Sequence, residues 1–350
     1  MVIIIPGGKD MKIILLTLFL SISSFAVEGL AERAKNVGLK CIPKEQAQLD
    51  KLLANKDNPI TKAKLDLGKM LYFEPRLSKS GLISCNTCHN LGLGGVDGVS
   101  AAIGHKWTAN PHHLNSPTVY NSVFNIKQFW DGRSPDLEDQ AMGPIQAGPE
   151  MAMPKELAVE RISAIPGYKE PFQKAFPGQE NPITFTNIGK AVAAFERTLV
   201  TPSGYDSFLQ GEQNALSKGE QKGLETFISK GCTACHNGPG IGGSMMQRFP
   251  LIKPYEFANL GDFKGDANGL VKVPVLRNIE ETAPYFHNGA VWSLEKAVKI
   301  MGETQLGMDL SDVEVEDITI FLKALTGKKP DITYPKLPPS SNQTPKPDSN

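Results

Sequence analysis

Two short cysteine motifs carry the most specific chemistry in this sequence. Residues 85–89 (CNTCH) and 232–236 (CTACH) both have the pattern C-x-x-C-H. Two thiols at this spacing can bond the two vinyl groups of one porphyrin, and the adjacent histidine is then held against the iron as an axial ligand. The pattern therefore predicts two covalently attached haem groups. The predicted attachment points are Cys85, Cys88, Cys232 and Cys235, and the predicted iron ligands are His89 and His236.

Two other kinds of site use cysteines at this spacing, a zinc knuckle and a redox-active dithiol pair. A Cys₄ zinc site would leave both adjacent histidines without a role. A dithiol pair is expected in a βαβ context, which the sequence around these motifs does not show. Haem attachment is therefore favoured. The fifth cysteine, Cys41, is interpreted as a free or structural thiol.

The sixth position of each iron decides what the protein can do. An iron closed by a second protein ligand can only store and pass electrons, whereas an open iron can bind a substrate. The strong-field candidates for that position are His105, His112, His113, His287 and ten methionines.

The two haem motifs lie in halves of the chain that repeat. Residues 117–121, 129–132 and 137–138 match residues 274–278, 286–289 and 294–295, and each matched pair is 157 residues apart. An unbroken register of this length predicts two similar haem domains, which we place at residues 38–202 and 203–327. The halves differ where chemistry would differ, since Trp130 aligns with His287.

Helical periodicity predicts an all-α, loop-rich fold. Apolar residues at three- and four-residue spacing predict helices over residues 46–53, 62–73, 155–165, 186–199, 219–228, 294–300 and 312–325. Capping boxes at Ser217 and Ser311 predict two helix starts, and Gly327 lies where the last helix should end. No stretch alternates strongly enough to require a sheet.

The long segments between these helices are rich in Gly, Pro and Asn. Residues 90–128 and 237–284 are too long for ordinary connections, so we expect loops that are ordered by packing on haem. Residues 328–350, with Pro-Pro-Ser-Ser-Asn, are predicted to form a disordered tail.

Charge and the N-terminal residues bear on location. Lys+Arg 37 balance Asp+Glu 37, so the formal net charge of +0 provides no overall field for a nucleic-acid backbone or an anionic membrane. Residues 13–22 form an apolar run before Ser24-Phe25-Ala26, the pattern of a secretory signal and its cleavage site. The run is short for a membrane span, which needs about 20 residues. We interpret residues 1–26 as upstream residues and a signal peptide, in preference to a buried helix, and expect export to the periplasm.

Nine strings carry a resemblance to a known family. They are residues 85–89, 104–107 (GHKW), 116–119 (SPTV), 129–133 (FWDGR), 143–147 (GPIQA), 150–151 (EM), 232–236, 284–289 (PYFHNG) and 300–302 (IMG). Several are weak individually, but in this order they are very specific, and the match extends from about residue 38 to residue 327. On these residues the chain resembles the bacterial di-haem cytochrome c peroxidases.

The resemblance implies two unequal haem sites. The C-terminal site would be the electron-transfer haem, with His236 and Met301 as ligands; Met308, seven residues on, is the competing methionine. Thioether ligation makes such an iron the high-potential one. The N-terminal site would be the peroxidatic haem, closed at rest by His89 and His105. Reduction of the C-terminal haem would release His105 and so open the N-terminal haem. No family motif covers His112 or His113, which we expect to be solvated.

The resemblance also implies roles for further residues. Glu150 matches the acid/base carboxylate, Gln140 a polar partner in the same pocket, and Trp130 an aromatic residue between the haems. A calcium ion is implied at the domain boundary, held by the Asn115 side chain and the backbone carbonyls of Thr282 and Pro284. A homodimer is implied as well.

The predicted function is a periplasmic peroxidase that reduces hydrogen peroxide to water with electrons from a small cytochrome c or cupredoxin. The alternative is a di-haem electron-transfer protein without peroxidase activity, which would keep both irons six-coordinate. A related class of di-haem oxidases matures an amine dehydrogenase by long-range oxidation. That class is disfavoured, because it has Tyr where this sequence has Met301 and lacks the switchable histidine.

Overall fold

The computed structural model describes residues 29–348, and the predicted signal peptide lies outside them. The described residues are mostly helical. The helices are α1 (29–36), α2 (Gln46–Leu53), α3 (Lys62–Tyr72), α4 (Cys85–Cys88), α5 (Leu137–Gln146), α6 (Lys155–Ser163), α7 (Lys169–Ala175), α8 (Phe185–Glu196), α9 (Gly204–Leu209), α10 (Lys218–Ser229), α11 (Leu294–Met301) and α12 (Asp312–Lys323). Two short strands, β1 (Met246–Arg248) and β2 (Leu270–Lys272), pair antiparallel. In residues 29–348 no helix is both long and apolar enough to cross a bilayer.

The seven helices predicted from periodicity are all present, and their starts agree to within one residue. Ser217 and Ser311 both form complete capping boxes, with Glu220 and Glu314 as their partners. The C-terminal ends are less accurate: α12 stops at Lys323 rather than 325. Gly327 is not its cap. A Cβ there would lie 2.1 Å from the carbonyl oxygen of Thr201, so this glycine permits a close backbone approach between distant segments.

Several elements were not expected from the sequence. No stretch of the sequence required a sheet, and the all-α prediction did not include β1 and β2, which are three residues each and too short to show an alternating pattern. Helix α5 was missed because it contains Pro144, a residue that removes a backbone donor. Helices α7 and α9 were missed because they have only seven and six residues.

The buried apolar side chains form two large clusters. One contains residues from Leu67 to Leu199, and the other joins residues 30–39 to residues from Tyr205 to Leu325. Each is built on a helix pair in close contact, α3 with α8 and α10 with α12. A Cβ at Gly68 would lie 1.9 Å from the Ala191 carbonyl, and one at Gly223 would lie 2.1 Å from the Asp317 carbonyl. Glycine therefore allows both pairs to approach.

Backbone geometry recurs at the same 157-residue spacing as the sequence strings. Asn121 and Asn278 both have φ near +60°, at 61° and 60°. Phe129 and Phe286 both lie in the left-handed region, at 67° and 69°. The isolated bridge between residues 128 and 134 also has a counterpart between residues 285 and 291.

The C-terminal segment, residues 330–348, has neither helix nor strand, but it follows a defined course over the first cluster. Tyr334 packs on Phe73 with ring centroids 5.0 Å apart. Arg76 donates to the Pro338 carbonyl at 2.9 Å, and the Ser341 hydroxyl donates to the Ala164 carbonyl at 3.1 Å. Where composition predicts a disordered tail, the structure therefore has a segment held by specific contacts.

Candidate functional site

One cavity of about 650 Å³ reaches both C-x-x-C-H motifs. Its walls come from both halves of the chain and are mainly apolar. The predicted site residues on its wall are Cys88, His89, Asn115, Trp130, Gln140, Glu150, Cys232, Cys235, His236, Thr282, Pro284 and Met301. His105 is not on the wall, and Cys85 packs against the first core cluster beside it.

The first motif is held by hydrogen bonds at both ends. Ser84 and Thr87 form a capping box at the start of α4, and the Tyr72 hydroxyl donates to the His89 carbonyl at 2.6 Å. His89 Nδ1 lies 2.9 Å from the carbonyl oxygen of Pro117. That carbonyl accepts a hydrogen bond from the Nδ1 N–H, which leaves Nε2 with a free lone pair for a metal. Burial lowers the pKa of His89, which favours the neutral form that can ligate.

The second motif has a similar environment. Burial lowers the pKa of His236 to about 4. The nearby backbone groups of Ile241 and of Pro274, which lies 157 residues after Pro117, act in the opposite direction by favouring the protonated ring. Nδ1 of His236 is buried and has no hydrogen-bond partner among the described residues. Phe227 lies beside this ring, at a centroid distance of 6.5 Å.

The cysteine thiols suit thioether formation better than the two alternatives. All five cysteines are unpaired. Burial raises the pKa of Cys85, that of Cys88 to about 12 and that of Cys232 to about 11, whereas a redox dithiol needs a lowered pKa. Within residues 29–348, no three His, Cys, Asp or Glu side chains form a metal-binding group, which disfavours a zinc knuckle. Unpaired thiols, neutral histidines and a large apolar cavity fit haem c.

Glu150 lies on the first motif's side of the cavity. Burial raises its pKa, and the Arg133 guanidinium opposes this shift. The Glu150 charge in turn contributes to the raised pKa of Cys88, after burial and Asp97. The Glu150 loop is anchored to α5, since Met151 N–H donates to the Pro144 carbonyl at 3.1 Å. A carboxyl group that is easily protonated therefore faces the first haem motif.

Trp130 lies where the two halves meet. Its indole N–H donates to the Asn115 carbonyl at 2.9 Å, and its ring lies 6.4 Å from that of His287. The Asn115 side chain crosses to the other half, where its Nδ2 donates to the Pro284 carbonyl at 2.7 Å. The structure thus brings Asn115 and Pro284 together, with Thr282 on the same cavity wall.

The remaining candidate ligands are placed differently. His105 is partly exposed, and its loop packs on the Glu150 loop: a Cβ at Gly104 would lie 1.9 Å from the Pro149 carbonyl. His112 is exposed and its Nδ1 lies 3.0 Å from Asp262 of the other half. Met301 ends α11 on the cavity wall, whereas Met308 is exposed and is not on that wall.

Comparisons with known proteins identify the family. A family model described as di-haem cytochrome c peroxidase matches residues 62–214. The cytochrome c551 peroxidase of Nitrosomonas europaea is 49% identical over 288 residues, which is 80% of this chain and 85% of that protein. The cytochrome c551 peroxidase of Pseudomonas aeruginosa is 45% identical over 88% of this chain and 90% of its own length. The chain belongs to the di-haem cytochrome c peroxidase family.

A solved structure agrees with this assignment. The peroxidase resembles a MauG-like protein associated with microbial copper homeostasis, with a TM-score of 0.69 and 29% identity over 79% of this chain and 92% of that one. Family membership makes the chain an oxidoreductase of the peroxidase class and implies two haem c groups. The observed donor set fits both of them.

Three residues of the peroxidase's cavity had no role in the sequence analysis. Arg133 lies over the Phe129 ring, 3.5 Å from its centroid, and acts on Glu150. Glu196 is enclosed at the end of α8, and burial raises its pKa to about 8. Lys272 is buried on β2. The FWDGR string contains Arg133, but no local pattern marks the other two, because their burial depends on tertiary packing.

Proposed function

We propose that this peroxidase is reductively gated at its N-terminal haem, with electrons entering at the C-terminal haem. The observation that carries the proposal is the shared cavity, which places a protonatable carboxyl at the first motif and a methionine thioether in the second half. The overall reaction is H₂O₂ + 2e⁻ + 2H⁺ → 2H₂O. When bound, haem supplies the iron that splits the O–O bond and holds electrons one at a time.

The C-terminal half provides the electron-transfer site. His236 and Met301 would be its two iron ligands, and the thioether sulfur favours the reduced state more than a second imidazole does. Met301 directly follows Ile300, a residue of the second core cluster. Phe227 belongs to the same cluster, and its ring lies beside that of His236. A site closed by two protein ligands relays electrons and does not bind peroxide.

The N-terminal half provides the group that moves protons. Glu150 would accept a proton from the peroxide oxygen that lies nearer to the iron held by His89. It would then return this proton to the other oxygen, which leaves. Its raised pKa makes the carboxylate a stronger base for the first of these transfers. Gln140, on α5, would orient the peroxide by hydrogen bonding.

Trp130 would carry electrons between the two sites. It lines the shared cavity, and its hydrogen bond to Asn115 fixes the indole plane. An aromatic ring held in one orientation at the meeting point of the halves is suited to such a route.

His105 would be the gate. Because Gly104 packs directly on Pro149, any movement of the His105 loop is coupled to the Glu150 loop. His105 is absent from the cavity wall, which is consistent with a loop that moves to reach the haem. In the closed form His105 would serve as a second iron ligand beside His89, and the same movement would displace the Glu150 loop.

The same proposal includes two cytochrome c-like domains, residues 38–202 and 203–327. The two apolar clusters and the geometry that recurs at 157 residues support this division. Calcium would lie between the domains, on the Asn115 side chain and the carbonyls of Thr282 and Pro284. The Asn115 side chain meets the Pro284 carbonyl, with Thr282 on the same wall, which supports that site; the amide would turn so that its Oδ1 and not its Nδ2 faces the ion.

The setting of the enzyme completes the proposal. We propose that it acts in the periplasm, as a homodimer, with a small cytochrome c or cupredoxin as donor. The signal-like pattern of residues 1–26 supports export. The two most identical relatives cited above are named for a c551 cytochrome, which favours a cytochrome donor.

The test is peroxide turnover before and after one-electron reduction, in the wild type and in a His105→Ala variant. We expect the wild type to require reduction and the variant to be active without it. His112→Ala, a neighbouring loop histidine, is the control and should still require reduction. A His105→Ala protein that is inert with both haems attached would contradict the gate. Absence of turnover in every state would favour a pure electron carrier.

A further inference from the structure

Lys272 is a buried cation on the cavity wall. Only 4% of its surface is exposed, and it lines the cavity together with Trp130. Its position is fixed by the β1–β2 hairpin, where it pairs with Met246, and by its own N–H, which donates to the Trp130 carbonyl at 2.8 Å. Its ammonium nitrogen lies 6.0 Å from the centroid of the Trp130 ring.

No anion or hydrogen-bond acceptor in residues 29–348 contacts this ammonium group, and burial alone lowers the pKa of Lys272 to about 8. An unpaired buried charge is strongly destabilising, so proteins normally provide a partner. Other buried cations of this chain have one. Arg277 pairs with Asp206, Arg197 pairs with Glu138, and Lys64 donates to Asn58.

An anion that enters the cavity beside Trp130 would supply the missing partner. Each haem c carries two propionate carboxylates, and the thiols and histidines that would hold both haems line or adjoin this cavity. We propose that Lys272 binds a haem propionate next to Trp130 and so sets the reduction potential of that haem. The inference rests on haem attachment in this cavity, and it is independent of the His105 gate.

Electrostatics gives the direction of the effect. A cation near the haem stabilises the reduced iron, which has one positive charge fewer than the oxidised iron. The same cation disfavours removal of an electron from the Trp130 ring. Lys272 is therefore a positioning residue. It would hold the edge of the haem beside Trp130, where electrons would pass between the two haems, and would raise the reduction potential of the haem that it contacts.

The experiment is a spectroelectrochemical titration of both haems in the holoenzyme. In Lys272→Gln we expect the equilibrium constant for reduction of at least one haem to fall about tenfold, which is about 59 mV for one electron. Lys272→Arg should restore most of the shift, because it keeps the charge. Lys56→Gln removes an exposed lysine and should leave both potentials unchanged.

Unchanged potentials in Lys272→Gln, with both haems attached, would overturn the inference. The same shift in Lys56→Gln would overturn it too, because it would show a general charge effect. If Lys272→Gln does not fold, Lys272→Met keeps the length of the stem and permits the same titration. Because these are equilibrium potentials, they are read without peroxide, and a failure of the gating proposal would not affect them.

Discussion

The Arg277–Asp206 pair is the most completely buried ion pair among the described residues, and breaking it has a calculable cost. The two side chains are 0% and 1% exposed and are joined by contacts of 2.9 and 2.6 Å. Asp206 also accepts the Ile42 and Ser203 N–H groups, at 2.6 and 2.7 Å. Arg277→Met would leave a buried carboxylate with only these two backbone donors and the Ser203 hydroxyl at 3.4 Å.

Removing one partner of a buried pair costs about 3–5 kcal/mol of unfolding free energy. At about 2 °C per kcal/mol for a chain of this size, the melting temperature should fall by about 6–10 °C. The effect should extend to the C-terminal haem site, because Arg277 holds the segment that contains Pro274, and Pro274 faces His236.

The assay is urea denaturation of a double-mutant cycle made from Arg277→Met, Asp206→Asn and the double variant. We expect the double variant to lose less free energy than the sum of the single losses, because neither charge is left unpaired. Arg33→Met breaks an exposed pair with Glu225 and should cost under about 1 kcal/mol. A loss below about 1 kcal/mol in Arg277→Met, or an additive cycle, would refute the reasoning.

Three further predictions concern the cavity wall. Glu150→Gln should lower peroxide turnover by about 10²–10⁴-fold with both haems retained, and turnover within tenfold of the wild type would contradict the proton-transfer role. Because burial raises the pKa of Glu150, wild-type activity should fall on acidification at a pH above 4.5. The pKa of Glu196 is raised from 4.5 to about 8, so its neutral form stabilises the fold and that advantage is lost as pH rises. Between pH 6 and pH 9 the free energy of unfolding, measured by urea denaturation, should fall by about 3 kcal/mol more in the wild type than in Glu196→Gln. Equal losses would contradict the burial argument. Trp130→Phe removes the hydrogen bond to the Asn115 carbonyl, so electron transfer between the haems should slow at least about tenfold. Rapid-mixing spectroscopy measures this rate, and an unchanged rate would exclude the indole route.

Much of the helical structure could be predicted from sequence because it depends on local rules. Helices α10 and α12 start where Ser217 and Ser311 cap them, and their apolar spacing is regular. Helix α5 contradicts such rules, since Pro144 lies inside it and tertiary packing compensates. The course of residues 330–348 depends on partners such as Arg76 that no local pattern connects to them.

The residues of the candidate site were also predictable from sequence only in part. The C-x-x-C-H motifs are local, so the sequence alone placed His89 and His236, and both line the cavity. The strings shared with the family added Glu150 and Trp130, which lie on the same wall. Lys272 was missed, because its importance comes from burial without a counter-ion, and this is a property of the folded chain.

The central claim is that the two haem sites hold their outer ligands unequally. The most direct test is electron paramagnetic resonance of the protein after it has taken up one electron. The account predicts a high-spin ferric signal from the haem at His89, while the haem at His236 and Met301 is reduced and remains closed. Low-spin, six-coordinate iron at both sites in this half-reduced protein would contradict the account.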